Sequence, residues 1–397
     1  MSHRKQLYLL FGAAVLMAAA AGVNDSIFNN FLSDTFGMTA NARGWLELPR
    51  ELPGFMVIVT AGLLAALPLT RVGGVAALVY LAGFLWLAMF GRHFGIMVAA
   101  MMLASTGQHL MQPVTMSVAL ALSSESARGR RIGQVGAFQT AGTILGTGLV
   151  WLVFDRAAPQ YRLGFMLAGL FALGAAAVFF FMHIPHLHEK RPRLLVRRRY
   201  SLYYVLELLF GARKQIFLTF GPWVLIKVYG MEAASIAGLL MAGACFGLLT
   251  KPLAGIAIDR FGERALLVAD GLMLTFICLG YGYALPLAGG DAELARIVAS
   301  ACYVGDNLLF ALGASRAVYL SRIALTREEL TSTLGLGVSI NHIVSMTIPA
   351  VAGALWAGFG YERVFLAAAI LAVLIAGVSS LVPGKKARAV EPAPTEV

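Results

Sequence analysis

Residues Gly211 to Phe220 read Gly-Ala-Arg-Lys-Gln-Ile-Phe-Leu-Thr-Phe, so two adjacent cations, Arg213 and Lys214, lie within a stretch otherwise apolar enough to cross a bilayer. A charge at the bilayer centre costs about 2.5–3.5 kcal/mol on insertion scales, so such side chains pair, face a water-filled cavity or mark a solute path. Two kinds of chemistry are open to them: holding a solute of opposite charge, and exchanging a proton with a neighbouring carboxylate. A counterpart lies 189 residues earlier, where Gly22 to Phe31 reads Gly-Val-Asn-Asp-Ser-Ile-Phe-Asn-Asn-Phe with Gly, Ile, Phe and Phe in register. The match predicts two homologous halves, with Asn24 and Asp25 standing where Arg213 and Lys214 stand in the second copy.

Further polar residues fall inside the apolar segments. The expected solute-binding set is Asp25, Arg50, Gln112, Gln139, Arg213, Lys214 and Asn341. Asp25, Asp306 and the histidines His109 and His342 are the expected proton carriers, because imidazole titrates near neutral pH. A plainer reading stands beside each role. Asp25 and Lys214 can form a static or gating salt bridge, Arg50 and Glu51 can satisfy each other, and each histidine can be a helix-contact residue. Asp270 reads as structural and Lys251 as a base snorkelling to the surface. Bases dominate this set in the second half, which favours an anionic or zwitterionic solute, although Asp25, Glu51, Glu207 and Asp306 can cancel them.

These residues need long apolar helices to carry them. The chain of 397 residues is 59 % hydrophobic and only 13 % charged, with a mean hydropathy of +0.78. That composition excludes an ordinary soluble domain and predicts an all-α polytopic membrane protein. Twelve spans are expected near 6–33, 44–68, 72–91, 94–122, 132–154, 162–184, 201–228, 233–257, 264–286, 294–322, 331–359 and 361–382. They form an N-terminal half (1–184), a basic linker (185–200), a C-terminal half (201–382) and a tail (383–397). The first apolar segment is too long for a cleavable signal peptide and is expected to stay as a span.

The net charge of +11 sits in short connectors, the mark of topology rather than of a nucleic-acid surface. With the N-terminus inside, nineteen of the 31 Lys and Arg fall in inside segments and seven in outside ones, which puts both termini in the cytoplasm. The remaining five, Arg50, Arg213, Lys214, Lys251 and Arg316, lie within spans. Cys245, Cys278 and Cys302 occur singly in apolar segments, as small hydrophobes do, and not as a disulfide frame or metal site. His183, His186 and His188 lack a carboxylate or Cys partner, so no metal is expected. No nucleophile triad, phosphate loop or redox motif is visible, so neither an enzyme nor a cofactor is expected.

One connector carries a motif. Gly255 is followed, four residues on, by Asp259-Arg260-Phe261-Gly262-Glu263-Arg264. These residues resemble the cytoplasmic loop motif of the major facilitator superfamily, a Gly and then Asp-Arg-x-Gly-x-Arg. The resemblance implies twelve helices in two pseudo-symmetric six-helix bundles, and a gating role for Gly255, Asp259, Arg260, Gly262 and Arg264. The matching loop of the first half keeps Arg71 and Gly73 but has Thr70 and Ala66 where the Asp and the first Gly belong. Asp259 would then meet the start of the fifth span, near Arg131, and Arg71 would meet Glu328 or Glu329 with the polarity reversed. Two GxxxG patterns, Gly142/Gly146 and Gly243/Gly247, fit either packing between the halves or packing within one half.

The function implied is secondary transport of a small organic solute by alternating access, coupled to protons, by a monomer in the plasma (inner) membrane whose partners are its solute and the lipid bilayer. The alternatives are proton-coupled efflux of drug-like or sugar-like compounds, and a non-transporting sensor or lipid-handling protein on the same fold.

Overall fold

The structure is a computed structural model that describes residues 3–57, 64, 67–124, 127–156, 158–184 and 196–384. Most of the expected linker and tail, with His186 and His188, therefore lies outside the described residues. Among the described residues, fifteen α-helices follow in order: α1 (His3–Phe36), α2 (Ala40–Trp45), α3 (Glu47–Phe55), α4 (Leu69–Phe90), α5 (Phe94–Ala121), α6 (Arg128–Val153), α7 (Tyr161–Phe181), α8 (Ser201–Lys227), α9 (Ala233–Phe261), α10 (Glu263–Gly282), α11 (Ala284–Leu287), α12 (Ala292–Leu309), α13 (Ala314–Ile323), α14 (Arg327–Phe359) and α15 (Tyr361–Ser379). No strand occurs among the described residues.

Among the described residues, ten helical stretches are long and apolar enough to cross a membrane: α1, α4, α5, α6, α7, α9, α10, the run from α12 through α13, α14 and α15. Helix α8 has 27 residues, about 40 Å at 1.5 Å per residue, and differs by carrying Glu207, Arg213 and Lys214 within it. The expected second span is divided. α2 ends at Trp45 and α3 at Phe55, and 58–63, 65 and 66 lie outside the described residues. The expected tenth span is divided too, by a 3-10 turn at Phe310–Gly313 between α12 and α13. Mid-helix 3-10 turns often mark hinges or functional positions.

The helices group into two compact units, one of Met1–Lys190 with Pro222–Cys245 and the other of Arg191–Gly221 with Phe246–Val397. In the first, Leu10 and Ala14 of α1, Ala76 and Ala77 of α4, Val114 and Val118 of α5, and Ala175 and Phe179 of α7 form a continuous buried core. Small residues set its spacing. A Cβ on Gly142 would lie 2.2 Å from the Val15 carbonyl oxygen, and one on Gly146 2.2 Å from that of Ala19. This pair of glycines therefore serves close packing of α6 on α1 within one unit. In the second unit, Tyr200, Tyr203, Leu206, Leu267, Tyr319 and Leu320 share one core, and Phe217, Tyr281 and Phe365 stack edge to face in another cluster.

Candidate functional site

Helix α8 positions the cations of the second unit. Gly211 brings α8 against α14, since a Cβ there would lie 3.3 Å from Asn341 Cα. The approach places Lys214 Nζ 2.6 Å from Asn341 Oδ1, to which it donates, and Lys214 keeps intermediate exposure. One residue earlier, a helical step of about 100° turns Arg213 into the interior, where it is 1 % exposed. Its Nη2 lies 2.9 Å from Asp306 Oδ1 of α12 and 3.8 Å from Asp270 Oδ1 of α10.

These contacts are ion pairs rather than hydrogen bonds, and the guanidinium nitrogens have no hydrogen-bond acceptor among the described residues. Aromatic faces lie beside it instead: Arg213 Cζ is 4.8 Å from the Phe310 ring centre and 5.7 Å from that of Phe210. Phe310 opens the 3-10 turn, so the break in the tenth span brings a ring over the cation. Asp270, which the sequence left as structural, is thus Arg213's second acid. Below it, Arg316 Nε donates to Glu207 Oε1 at 2.8 Å, with its Cζ 3.4 Å from the centre of Phe210. A single ring therefore lies against both arginines.

The first unit builds its ionic group from α2 and α3. Glu47 is fully buried and takes Arg43 Nη1 at 2.5 Å and Arg50 Nε at 2.6 Å, while Arg50 Nη2 reaches Glu51 at 2.7 Å. Arg43 also donates to Asn29 Oδ1 at 2.9 Å. Arg50 and Glu51 do satisfy each other, and Arg43, one of the seven cations that the sequence puts in outside connectors, is buried. Ser105 of α5 donates to the Arg50 carbonyl at 2.5 Å, and His109 Nδ1 lies 2.8 Å from the Ser105 carbonyl. Asp25 is exposed on α1 and takes a 3.4 Å bond from Asn24. Gln112 and Gln139 are exposed on α5 and α6, and His342 is partly exposed on α14.

The motif loop turns at Gly262, whose φ of +83° is natural only for glycine. It caps α10 and buries the next residue, Glu263, which takes Arg322 Nε at 2.5 Å. Nothing in the sequence paired these two. Asp259, Arg260 and Arg264 are exposed, with Arg260 over the Phe261 ring at 5.4 Å. Gly255 has open space where a Cβ would stand. In the first unit, Arg71 lies over Phe180 at 5.5 Å and Arg131 over Phe11 at 5.9 Å, the latter also donating to Gln134 at 2.9 Å. Glu329, a partner foreseen for Arg71, accepts a bond from Tyr200 at 2.5 Å and lies 3.5 Å from Arg197. Burial, and then this bond, push the Tyr200 phenol pKa upward and keep it a donor.

Solved transporters share this architecture. The nucleoside transporter NupG superposes with a TM-score of 0.74 at 12 % identity, covering 96 % of this chain and 98 % of that one. A D-xylose-proton symporter gives 0.71 at 15 %, covering 97 % and 99 %. A bacterial homolog of the human lysosomal transporter Spinster, inward-facing and unoccupied, gives 0.72 at 14 %, covering 96 % of each. At these identities the likeness is one of fold. No curated protein matches the chain in sequence. The family model of the Major Facilitator Superfamily matches residues 10–318, well over half the chain, and the protein therefore belongs to that superfamily of multi-pass membrane transporters, which are not enzymes.

Proposed function

We propose that the protein is a secondary transporter working by alternating access, with α8 as its charged element. Lys214 holds the anionic group of a small anionic or zwitterionic solute, and Asp306, with Asp270 and Arg213, carries the coupled proton. The observation that supports this is the division of labour between adjacent residues: Arg213 is sealed against two carboxylates, whereas Lys214 stays accessible beside Asn341. One guanidinium against two carboxylates leaves one negative charge, which a single proton neutralises. Arg316, beside Asp270, and Cys278, beside Asp306, are further charged or titratable groups near the two acids. Asp25, Arg50, Gln112 and Gln139 are the solute contacts proposed for the first unit, with His109 and His342 as further proton carriers. The loop residues Arg71, Arg131, Gly255, Asp259, Arg260, Gly262 and Arg264 act in gating. We assign both termini to the cytoplasm, a reading the basic connectors support, and a monomer in the plasma membrane.

The test is uptake into proteoliposomes with and without an imposed pH gradient. Asp306→Asn should remove stimulation by the gradient and leave exchange of internal for external solute. Lys214→Gln should remove both for an anion. Gradient-stimulated uptake in Asp306→Asn would overturn the coupling assignment. A second reading, proton-coupled efflux of drug-like or sugar-like solutes, is favoured by the internal pairing of Arg50, Arg213 and Arg316. It predicts that Lys214→Gln leaves flux of such a solute intact.

A further inference from the structure

The ionic groups of the second unit do not end with Arg213, Asp270 and Asp306. Asp306 pairs with Arg213 at 2.9 Å and Arg213 with Asp270 at 3.8 Å. Asp270 lies beside Arg316, and Arg316 Nε donates to Glu207 Oε1 at 2.8 Å. Acid and base thus alternate through five side chains of α8, α10, α12 and α13, with a carboxylate at each end. The Phe210 ring keeps the two guanidiniums together, lying 5.7 Å from Arg213 Cζ and 3.4 Å from Arg316 Cζ. At the Glu207 end, the carboxylate also accepts from the Tyr203 hydroxyl. Gly337 of α14 makes room for that bond, since a Cβ there would lie 2.5 Å from the Tyr203 hydroxyl oxygen and 3.1 Å from Glu207 Cγ. Further titratable neighbours are Cys278 beside Asp306 and Tyr204 beside Tyr203. Lys214 turns to Asn341 instead.

Three carboxylates against two guanidiniums leave one negative charge, which one proton neutralises, and in so coupled a group the proton belongs to the set rather than to one residue. With the proton on Asp306, Arg213 keeps Asp270 and Arg316 keeps Glu207. With the proton on Glu207, Arg213 keeps Asp306 and Arg316 keeps Asp270. Neither position leaves a buried cation unpaired, the arrangement that destabilises most. The two ends differ in access: the Asp306 side chain is 2 % exposed and that of Glu207 11 %. Glu207 also lies six residues nearer the linker than Arg213, about 9 Å along α8.

We infer that these five side chains share the coupled proton, and that Glu207, at the accessible end, is a further proton carrier of the transport cycle. The inference rests on the assignment of Asp306 to coupling made above. In the transfer the carboxyl O–H bond of Asp306 breaks and one forms on Glu207, the proton crossing by way of Asp270 and intervening water. Both guanidiniums stay protonated and only change partner. Under the orientation proposed above, Glu207 releases the proton toward the cytoplasm.

The experiment is an infrared titration of the full-length protein in liposomes, following the carbonyl stretch of protonated carboxyl groups from acid to alkaline pH, with the proton as the only ligand. The part of the band that Asp306→Asn removes reports the shared proton. Glu207→Gln leaves two acids against two bases and should remove the same part, and its fold should hold because Arg316 turns to Asp270. A band lost in Asp306→Asn but kept in Glu207→Gln would confine the proton to Arg213, Asp270 and Asp306, overturning the inference and leaving the coupling assignment standing. A band untouched by Asp306→Asn would overturn that assignment and the inference with it. If Glu207→Gln fails to fold, Tyr203→Phe carries the test. It takes a donor from the ionised Glu207 and should make the shared proton up to about tenfold harder to remove; an unchanged titration would overturn the inference.

Discussion

The two units solve the cost of buried charge differently. In the first, Arg43, Glu47, Arg50 and Glu51 fall within nine consecutive residues, pair mostly at helical spacings of three and four, and balance two cations against two anions. In the second, Arg213, Asp270 and Asp306 come from three helices far apart in sequence, and the acids outnumber the base. The first arrangement forms as soon as its short helices form. The second exists only once α8, α10 and α12 have packed, and its unbalanced charge gives a proton somewhere to reside. A balanced, local network needs no proton to neutralise it. An unbalanced network of distant residues suits a function that changes charge.

The comparison can be broken at its most exposed point first. Replacing Arg213 with Leu leaves two buried carboxylates facing each other, and should destabilise the protein by about 3–5 kcal/mol, read as a fall in melting temperature in detergent. Adding Asp270→Asn and Asp306→Asn should recover most of that loss. Failure to recover would mean that Arg213 acts through its packing on Phe210 and Phe310 rather than through charge. In the first unit, Glu47→Gln takes the carboxylate from Arg43, which keeps Asn29, while Arg50 keeps Glu51, so the cost should be somewhat smaller, about 3 kcal/mol. A loss larger than that of Arg213→Leu would reverse the contrast drawn here. Arg316→Gln removes one charge-assisted bond to Glu207 and some contact with Phe210, and should cost about 2 kcal/mol, measurable in the same assay. Glu293→Gln, at the exposed pair with Arg296, sets the floor at under about 0.5 kcal/mol.

Much of this was legible from the chain. The hydrophobic runs marked the helices, since burial in lipid is an average over about 20 residues and tolerates errors at the ends. The loop motif Gly255 to Arg264 led to the superfamily, and the family model agrees. The spacing of Arg43, Glu47 and Arg50 holds a helical ion-pair pattern, masked in the chain by its place at the edge of a hydrophobic run, where a connector is the simpler reading. Other features had no local signal. Asp270 looked structural because its partner is 57 residues away, and Glu263 and Arg322 are separated by 59. The 3-10 turn at Phe310 broke what looked like one continuous apolar span.

The sequence by itself determined that this chain folds as membrane helices of the transporter superfamily, and which residues carry charge within them. Those properties follow from composition and short-range periodicity. Tertiary structure alone decided that Arg213 turns inward to two acids while Lys214 stays accessible, and that Glu263 meets Arg322. Such choices depend on which helices meet and on differences of an ångström or two, distances over which an ion pair or a hydrogen bond is made or lost.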